Sequence, residues 1–520
     1  MNSTVSPNVQ RWRYALAGVV SAGLFFGVAE LASVPFTRAS SPLVAVGAWF
    51  IDITPPWLKD FAIAAFGTND KLALFISMGI VALLAAALLG ILARRASAFA
   101  AGLIILLAIA LGTAVWSRAA TGILDLVPTA AGAVAGILAL NYTVRAAEAT
   151  EGSNSSHTEH EVPRSSRREF LRAVSVTAAG AVLLGVGGRA LSSVRNVASA
   201  TREALQLPRA ATPAAAVPAG AQINVDGMPQ HVTPNAEFYR IDTALRVPEI
   251  DPKNWRLRIH GMVEEDLEID FAELLAQPLI ESRVTLACVS NPVGGELIGN
   301  AKWLGYPIRE LLARARPLPE ADMVLSTSHD GFTASTPLEA LTDDRDALLA
   351  VGMNDEPLPL EHGFPVRMVV PGLYGYVSAT KWVIDLEVTR FDQALAYWST
   401  RGWSTHGPIK LSSRIDVPRA KATVSSEKLA IAGTAWAQHT GISKVEVRLD
   451  DGPWQQAELA EQDSVDTWRQ FVLRVDSLAA GEHTATVRAY DREGRLQIEE
   501  PMSPAPNGAT GWHRVSFTVK

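Results

Sequence analysis

The chain has 520 residues, a formal net charge of −7 at pH 7 and a single cysteine, Cys288. The charge argues against nucleic acid as a partner, and one cysteine excludes an internal disulfide framework, CxxC zinc sites, iron–sulfur clusters and CxxCH haem attachment. The mean hydropathy of +0.15 is unevenly distributed, since residues 14–144 are dominated by Ala, Leu, Ile, Val and Gly whereas 220–520 have ordinary globular composition. A chain of this length can hold several domains.

Residues 1–145 are predicted to form a four-helix membrane domain. Four segments approach the length of about 20 apolar residues that crosses a bilayer, namely 14–34, 72–92, 96–116 and 122–144. Arginines flank them at positions Arg11, Arg13, Arg94, Arg95 and Arg145, so the positive-inside rule places both ends of this domain in the cytoplasm. Lys59, Lys71 and Arg118 fall on the outer side. The outer stretch 35–70, with TPPW and FAIAAF, is a candidate interfacial helix.

Residues 146–191 are predicted to hold a cytoplasmic linker, an export signal and a fifth transmembrane helix. The motif SRREFLR at 166–172 precedes the weakly apolar run AVSVTAAGAVLLGVGG, as in twin-arginine signals. The alternative is an ordinary fifth helix with two juxtamembrane arginines. A chain left in the cytoplasm after four crossings needs a fifth crossing to export its C-terminal domains. We therefore expect the twin-arginine translocation machinery as a partner, a signal retained as an anchor, and a multi-pass plasma-membrane protein whose catalytic domain is extracytoplasmic.

The remainder is predicted to contain a linker and two globular domains. Residues 192–222 are rich in Ala, Pro and Thr, which indicates a linker. In 223–400, short Val- and Ile-rich runs such as SRVTLACV alternate with helical runs such as IRELLARA, which is typical of an α+β domain. Residues 401–520 have an all-β pattern, with a hairpin predicted at Asp450-Asp451-Gly452, and indicate a β-sandwich of immunoglobulin-like size.

Cys288 stands in LACVSNPVGG, where a strand-like run meets a turn rich in Pro and Gly. A buried, inert cysteine is the commonest structural interpretation of such a residue. Its position at a strand end favours a site instead, and a thiolate is a soft ligand suited to a transition metal.

Two longer stretches around this cysteine are similar to one known family. LACVSNPVGGELIGNAKWLGYPIRELL and PLPLEHGFPVRMVVPGLYGYVSATKW resemble the sulfite oxidase superfamily of molybdopterin enzymes. The resemblance extends through GTAWAQHTGISKVEVRLDDGPWQQAEL to GWHRV and covers about 225–520. It implies a sulfite oxidase fold with a dimerisation-like C-terminal domain, a possible homodimer, and Cys288 as the thiolate ligand of molybdenum.

The resemblance also implies the residues that hold the cofactor. Molybdopterin is an anionic dithiolene with a phosphate tail, so cationic and hydrogen-bonding groups suit it. The expected cofactor-binding residues are Asn235, Tyr239, Arg240, Cys288, Ser328, His362, Arg367, Ala379, Thr380 and Lys381.

The chain departs from the family pattern on the substrate side. The Cys-x-Gly-Asn-Arg-Arg motif of animal and plant sulfite oxidases is replaced here by CVSNPV, in which Asn291 is kept and both arginines are absent. In YWSTRGWS, Trp403 stands in the place of the family's active-site tyrosine, and Arg401 is a candidate anion contact. The expected catalytic residues are therefore Cys288, Arg240, Arg401 and Trp403, with weaker attraction for sulfite than in the relatives.

The expected activity is oxygen-atom transfer to or from sulfite or another small sulfur or nitrogen compound. The alternatives are a reductase of S- or N-oxides, of the methionine sulfoxide type, and an inactive ectodomain that binds a partner. The first histidine is His157, so the first four membrane helices lack bis-His haem ligands, and so does the fifth. No haem is evident, and a separate electron carrier, a cytochrome or a quinone, is expected.

Overall fold

A computed structural model describes residues 7–36, 40–54, 70–117, 122–152, 164–194, 197–244, 247–426 and 429–520. The chain divides into two compact units. Residues 1–196, with 244–246, form the first unit, and residues 197–243 and 247–520 form the second.

The first unit is helical. Its described helices are α1 (Pro7–Ala32), α2 (Pro42–Ile53), α3 (Asp70–Ala93), α4 (Ser97–Trp116), α5 (Val127–Gly152) and α6 (Arg164–Val194). Five of these described helices are long and apolar enough to cross a membrane, as the sequence predicted. The exception is α2, whose 12 residues are too few to span a bilayer. It occupies part of the predicted interfacial stretch, while residues 55–69, with most of TPPW and all of FAIAAF, lie outside the described residues.

Glycines let the backbones of these helices approach each other closely. A Cβ atom on Gly90 of α3 would lie 2.0 Å from the carbonyl oxygen of Tyr14 in α1. A Cβ atom on Gly27 of α1 would lie 2.7 Å from the carbonyl oxygen of Ala181 in α6. Small residues at helix crossings are typical of membrane bundles. The fifth spanning helix therefore packs directly along the first.

The predicted linkers are shorter in the structure. The helix α5 continues to Gly152 and α6 begins at Arg164, so much of the polar run 146–169 is helical, and 153–163 lies outside the described residues. The predicted linker 192–222 also differs, because from Val197 onward it belongs to the second unit. It begins with α7 (Val197–Ala204), and the backbone N–H of Ala211 donates to the carbonyl oxygen of Leu279 at 2.7 Å.

The first half of the second unit is a mixed α/β structure. Its strands and helices are β1 (Arg256–Gly261), β2 (Leu267–Asp270), α8 (Phe271–Leu275), β3 (Ile280–Ala287), β4 (Ile298–Pro307), α9 (Ile308–Ala315), β5 (Met323–Ser328), β6 (Thr333–Pro337), α10 (Glu339–Thr342), β7 (Leu348–Met353), β8 (Glu356–Pro357), β9 (Arg367–Val369), α11 (Gly375–Ser378) and β10 (Val383–Thr389). One sheet has the order β2-β1-β10-β5-β6, with β1 and β10 parallel. The other has the order β3-β4-β7-β8, with β9 paired to β7.

Local sequence explains several of these elements. Asp270 and Glu273 form a capping box at the start of α8, because each side chain accepts a hydrogen bond from the backbone N–H of the other. β4 is buried along nearly its whole length and packs its Trp303 against Leu286 and Leu348 in the core.

The second half is all β. Its strands are β11 (Ser412–Val417), β12 (Thr423–Val424), β13 (Leu429–Trp436), β14 (Ile442–Leu449), β15 (Trp454–Gln456), β16 (Glu458–Leu459), β17 (Arg469–Val475), β18 (Gly481–Asp491) and β19 (His513–Val519). They form two sheets, ordered β11-β13-β17-β16 and β12-β19-β18-β14-β15. Ile431 and Phe471 from the first sheet share one core with Val447, Val487 and Phe517 from the second. The predicted change from mixed α/β to all-β structure is confirmed.

A buried charged group joins the two halves of the second unit. Asp463 accepts from Arg283 Nη2 at 2.7 Å and lies 3.0 Å from His231 Nε2, and its side chain is 2% exposed. Burial by itself would raise the pKa of Asp463, but the hydrogen bonds from His231 and Arg283 outweigh it and hold the pKa below its ordinary value. The carboxylate is therefore ionised in the folded protein and fixes one half against the other.

Candidate functional site

Cys288 lies in a pocket at the ends of several strands of the mixed α/β half. β3 ends at Ala287, β5 ends at Ser328 and β9 begins at Arg367. The pocket has a volume of about 130 Å³ and is lined by Phe238, Tyr239, Ile241, Asp242, Thr243, Cys288, Val289, Ser290, Ser328, Asp330, Phe332, His362, Arg367, Gly375, Tyr376, Ala379, Lys381, Trp382, Trp398 and Trp403.

The cysteine is almost fully enclosed. Its residue is 8% exposed, and Sγ accepts a hydrogen bond from the Ser290 N–H at 3.4 Å. Burial raises the pKa of the Cys288 thiol, and hydrogen bonding from Ser290 only partly opposes that rise. A positive ion beside Sγ would favour the thiolate that burial disfavours. The position suits a metal-bound thiolate better than a free nucleophile.

The turn after the cysteine is fixed by hydrogen bonds within the turn itself. The backbone N–H of Asn291 donates to the carbonyl oxygen of Cys288 at 3.1 Å. The side-chain oxygen of Asn291 accepts from the N–H of Leu297 at 2.9 Å. The asparagine retained in CVSNPV therefore ties both ends of the turn together.

The all-β half supports the same turn from outside. Arg414 Nη1 donates to the carbonyl oxygen of Gly295 at 2.7 Å. Gly294 has φ +77°, and a Cβ atom there would lie 2.2 Å from Nε2 of His513. Burial, followed by the charge of Arg414, lowers the pKa of His513 to about 4, so the imidazole is neutral where it packs on the glycine. The cysteine turn is thus held by residues of both halves.

Arg367 places a buried cation in the pocket. Its residue is 5% exposed, and the guanidinium donates to the carbonyl oxygens of His362 at 3.1 Å and Met368 at 3.3 Å. It also lies 5.0 Å from the centroid of the Trp303 ring. Burial lowers its pKa to about 10. Among the described residues no carboxylate pairs with it, and a buried charge without a counter-ion suits a negatively charged ligand.

Lys381 and His362 complete the polar side of the pocket. Lys381 Nζ lies 2.7 Å from Asp242 Oδ2 and donates to the carbonyl oxygen of Glu361 at 3.0 Å. Burial lowers the pKa of Lys381 to about 8, against the opposing charge of Asp242. Burial and the charge of Arg367 lower the pKa of His362 to about 4. The imidazole is therefore neutral near pH 7, and because its Nε2–H donates to the carbonyl oxygen of residue 235 at 3.2 Å, Nδ1 is left as an acceptor.

Two tyrosine hydroxyls lie close enough to the cysteine for its charge to affect them. Burial, and then the charge of Cys288, raise the pKa of Tyr239. Burial raises the pKa of Tyr374 to about 12, and Cys288 adds to that effect. Both phenols stay protonated near pH 7, so each can donate a hydrogen bond toward an anionic group.

An aromatic wall, which we define as Phe332, Tyr376, Trp398 and Trp403, lines the rest of the pocket. The ring of Trp403 lies 5.9 Å from that of Tyr376 and 6.1 Å from that of Trp398. Edge-to-face and tilted pairs at these distances attract each other. The Tyr376 hydroxyl donates to the carbonyl oxygen of Ser404 at 2.6 Å, which fixes this ring.

The structure brings most of the predicted site residues together. Those that line the pocket are Tyr239, Cys288, Ser328, His362, Arg367, Ala379, Lys381 and Trp403.

The side chains of two predicted cofactor residues bond to neighbouring protein groups and do not line the pocket. The side chain of Asn235 donates to the carbonyl oxygen of Met353 at 3.2 Å and to Glu356 Oε1 at 2.7 Å, so only its backbone oxygen reaches His362. The hydroxyl of Thr380 is buried and lies 2.7 Å from that of Ser326.

Two predicted arginines also do not line the pocket, namely Arg240, expected to be catalytic and to bind the cofactor, and Arg401, expected to contact an anion. Arg240 Nε donates to Asp242 Oδ2 at 2.9 Å, and the Arg240 side chain is 42% exposed. Arg401 donates to the carbonyl oxygen of Tyr397 at 2.7 Å and lies 3.6 Å from the centroid of that ring. Each guanidinium is held by a neighbour close to it in the chain.

Sequence reasoning missed three residues that line the pocket: Asp242, Tyr376 and Trp398. Asp242 stands in NAEFYRID, two positions after Arg240. An acidic residue so close to a predicted ligand could have been predicted as a partner of the cations at the site. Tyr376 stands inside the PGLYGYVS run, between the predicted ligands Arg367 and Lys381.

The pocket thus combines a buried thiol, a guanidinium for which the described residues offer no carboxylate, a lysine and the protonated phenol of Tyr239, and these groups suit an anionic ligand. Residues 244–398 match the family model described as the oxidoreductase molybdopterin binding domain. The uncharacterized oxidoreductase YuiH of Bacillus subtilis is 31% identical over 157 residues, which cover 30% of this chain and 76% of that protein. The chain therefore belongs to this family, the sulfite oxidase superfamily of molybdopterin-dependent oxidoreductases.

Other relatives match a longer part of the chain. Human mitochondrial sulfite oxidase is 28% identical over 340 residues, which cover 56% of this chain and 62% of that protein. The chain thus spans less than two thirds of that relative. The solved sulfane dehydrogenase SoxCD from Paracoccus pantotrophus is 26% identical, with a TM-score of 0.49, over 56% of this chain and 81% of that chain.

Proposed function

We propose that the chain is a membrane-anchored, extracytoplasmic oxidoreductase that transfers an oxygen atom between water and a small sulfur or nitrogen compound. The observation that carries the proposal is the pairing, in one pocket, of the buried Cys288 with the buried Arg367, for which the described residues offer no carboxylate. Molybdopterin, when bound, supplies the two-electron oxygen-atom chemistry.

The residues present suit that cofactor. Cys288 would hold the molybdenum, and Arg367 and Lys381 would face the anionic parts of the pterin, its phosphate included. His362 and Tyr239 line the same pocket as neutral hydrogen-bonding groups. Ser328 and the backbone at Ala379 are further contacts in this proposal.

The protein's own residues orient the substrate and enclose it in the pocket. Tyr239 lines the pocket and keeps its proton near pH 7, so it can donate to an oxygen that carries charge close to Cys288. The aromatic wall excludes water from one side of the pocket, which strengthens electrostatic interactions inside it.

The membrane arrangement we propose has the catalytic unit outside. Five candidate spanning helices, with the flanking arginines on one side, support an odd number of crossings between the cytoplasmic start and the catalytic unit. The packing of α6 on α1 supports retention of the twin-arginine segment as an anchor. The all-β half has the size of an immunoglobulin-like domain, and electrons pass to or from a separate carrier.

The enzymatic proposal is tested by metal analysis of the purified full chain. We expect close to one molybdenum per chain, and loss of molybdenum and of dye-linked turnover in Cys288→Ser, with unchanged circular dichroism. A wild-type protein without molybdenum, or a serine variant with full metal content, would refute the proposal in favour of a binding module.

The topology is tested separately. A reporter fused after residue 150 should read cytoplasmic, and one fused after residue 220 should read external. Replacing Arg167 and Arg168 by lysine should leave the second reporter inside, and an unchanged external signal would contradict the twin-arginine route.

A further inference from the structure

The aromatic wall and the charges around it bear on the substrate. Phe332, Tyr376, Trp398 and Trp403 line the same pocket as Cys288, and the two tryptophans contact each other edge to face. A wall of this kind offers large apolar area, and aromatic faces and edges attract polarisable sulfur.

No lining cation in the described part of the chain is left for a substrate anion. Lys381 is paired with Asp242, and Arg367 is assigned to the cofactor in the function proposed above. Arg240 and Arg401, both expected to be catalytic, lie outside the lining.

The remaining lining charge is acidic. Asp330 lies in the wall of the pocket, near Phe332, whose backbone N–H donates to the Asp330 carboxylate at 3.3 Å. An anion such as sulfite would meet a carboxylate and aromatic rings rather than a guanidinium, and like charges in a confined site repel.

We propose that Trp398 and Trp403 are specificity-determining residues that select a neutral organic sulfur compound, a thioether or its sulfoxide with a bulky apolar substituent, over an inorganic oxyanion. This inference rests on the proposed function. In the reducing direction the S–O bond of the sulfoxide breaks, and its oxygen leaves as water with two protons. Two molecules of a reduced one-electron carrier supply the two electrons, one each. In the oxidising direction water supplies the oxygen, two protons go to solvent, and two molecules of the oxidised carrier each accept one electron.

The first test measures binding without turnover. Full-length, molybdenum-loaded protein is titrated calorimetrically with methyl phenyl sulfoxide, dimethyl sulfoxide and sulfite in the absence of any electron donor. We expect the aryl compound to bind most tightly, and Trp398→Ala and Trp403→Ala each to weaken it by about tenfold, the loss expected for one buried aromatic contact. Trp403→Phe should restore most of the affinity. Leu395→Ala, in the same segment but outside the pocket lining, should change nothing.

The second test measures turnover with reduced viologen and with ferricyanide. We expect the tryptophan variants to raise KM for the aryl compound about tenfold, and to change KM for dimethyl sulfoxide by a much smaller factor. Sulfite turned over with the lowest KM, or tryptophan variants that affect all compounds equally, would overturn this inference and leave the proposed function standing. A loaded protein inactive toward every compound in both directions would refute the proposed function itself.

Discussion

Replacing Arg367 by methionine should have opposite effects on the cofactor-free and the loaded protein. Burial lowers the pKa of Arg367 from 12.5 to about 10. That difference corresponds to about 3 kcal/mol of unfavourable free energy for the charged side chain in the folded, cofactor-free state. The variant also loses three long hydrogen bonds to carbonyl oxygens at 3.1–3.5 Å. Their loss offsets part of the stability gained by removing the buried charge.

We therefore expect cofactor-free Arg367→Met to be as stable as the wild type or up to about 2 kcal/mol more stable, a rise in Tm of about 0–6 °C. The loaded variant should lose most of its molybdenum, because the cation no longer faces an anionic ligand. Tm would be measured by scanning fluorimetry in detergent, on protein from cells with and without cofactor synthesis, together with metal content.

Arg474→Met is the matched control, since that side chain is 61% exposed and pairs only with an exposed glutamate among the described residues. It should leave Tm and metal content unchanged. A cofactor-free Arg367→Met that melts more than about 5 °C below the wild type, or a loaded variant with full molybdenum, would refute the assignment of Arg367 to an anionic ligand.

Three further predictions concern packing and pH. Gly90→Val should disrupt the crossing of α1 and α3 and reduce the yield of monodisperse protein in detergent, whereas Gly79→Val in the same helix, with nothing within 4 Å of its Cβ position, should not. Gly294→Ala should lower molybdenum content through its clash with the imidazole of His513. Gly494→Ala is the control, because its φ is +82° with open space around the Cβ position, so it should show only the strain of a non-glycine residue at a positive φ. Asp463→Asn should cost about 3–5 kcal/mol at pH 7. Because the pKa of Asp463 is depressed in the folded state, the stabilisation that its carboxylate gives the wild type is complete above about pH 4 and fades as the pH falls further. The Tm values of the wild type and of Asp463→Asn should therefore converge as the pH is lowered.

Some parts of the site follow from local sequence. Cys288 was singled out because it follows a strand-like run, while its role as a metal ligand and the residues from His362 to Lys381 were predicted because their motifs resemble the sulfite oxidase superfamily. The number of spanning helices followed from length and composition alone. These features depend on residues close together in the chain.

Other parts depend on the direction in which a side chain turns. Arg240 is held by Asp242 two residues later, and Asp242 also binds Lys381 across 139 positions of sequence. Arg401 is turned away by a ring four residues before it. The pattern of residue types predicts neither the direction of these side chains nor the long-range contact of Asp242 with Lys381.

Because His513 and Arg414 support the cysteine turn, this turn reaches its final structure only late in the synthesis of the chain. The strand β19, which begins with His513, is translated more than two hundred residues after Cys288, a delay of about 10–45 s at ordinary elongation rates. Until then the turn lacks the contact with His513 and is held by its internal hydrogen bonds and by Arg414. For the proposed cofactor site, we therefore expect firm loading of the metal only after β19 has been translated. A chain that stops before β19 should hold the cofactor less firmly, so the strand couples the proposed acquisition of the metal to the folding of the all-β half.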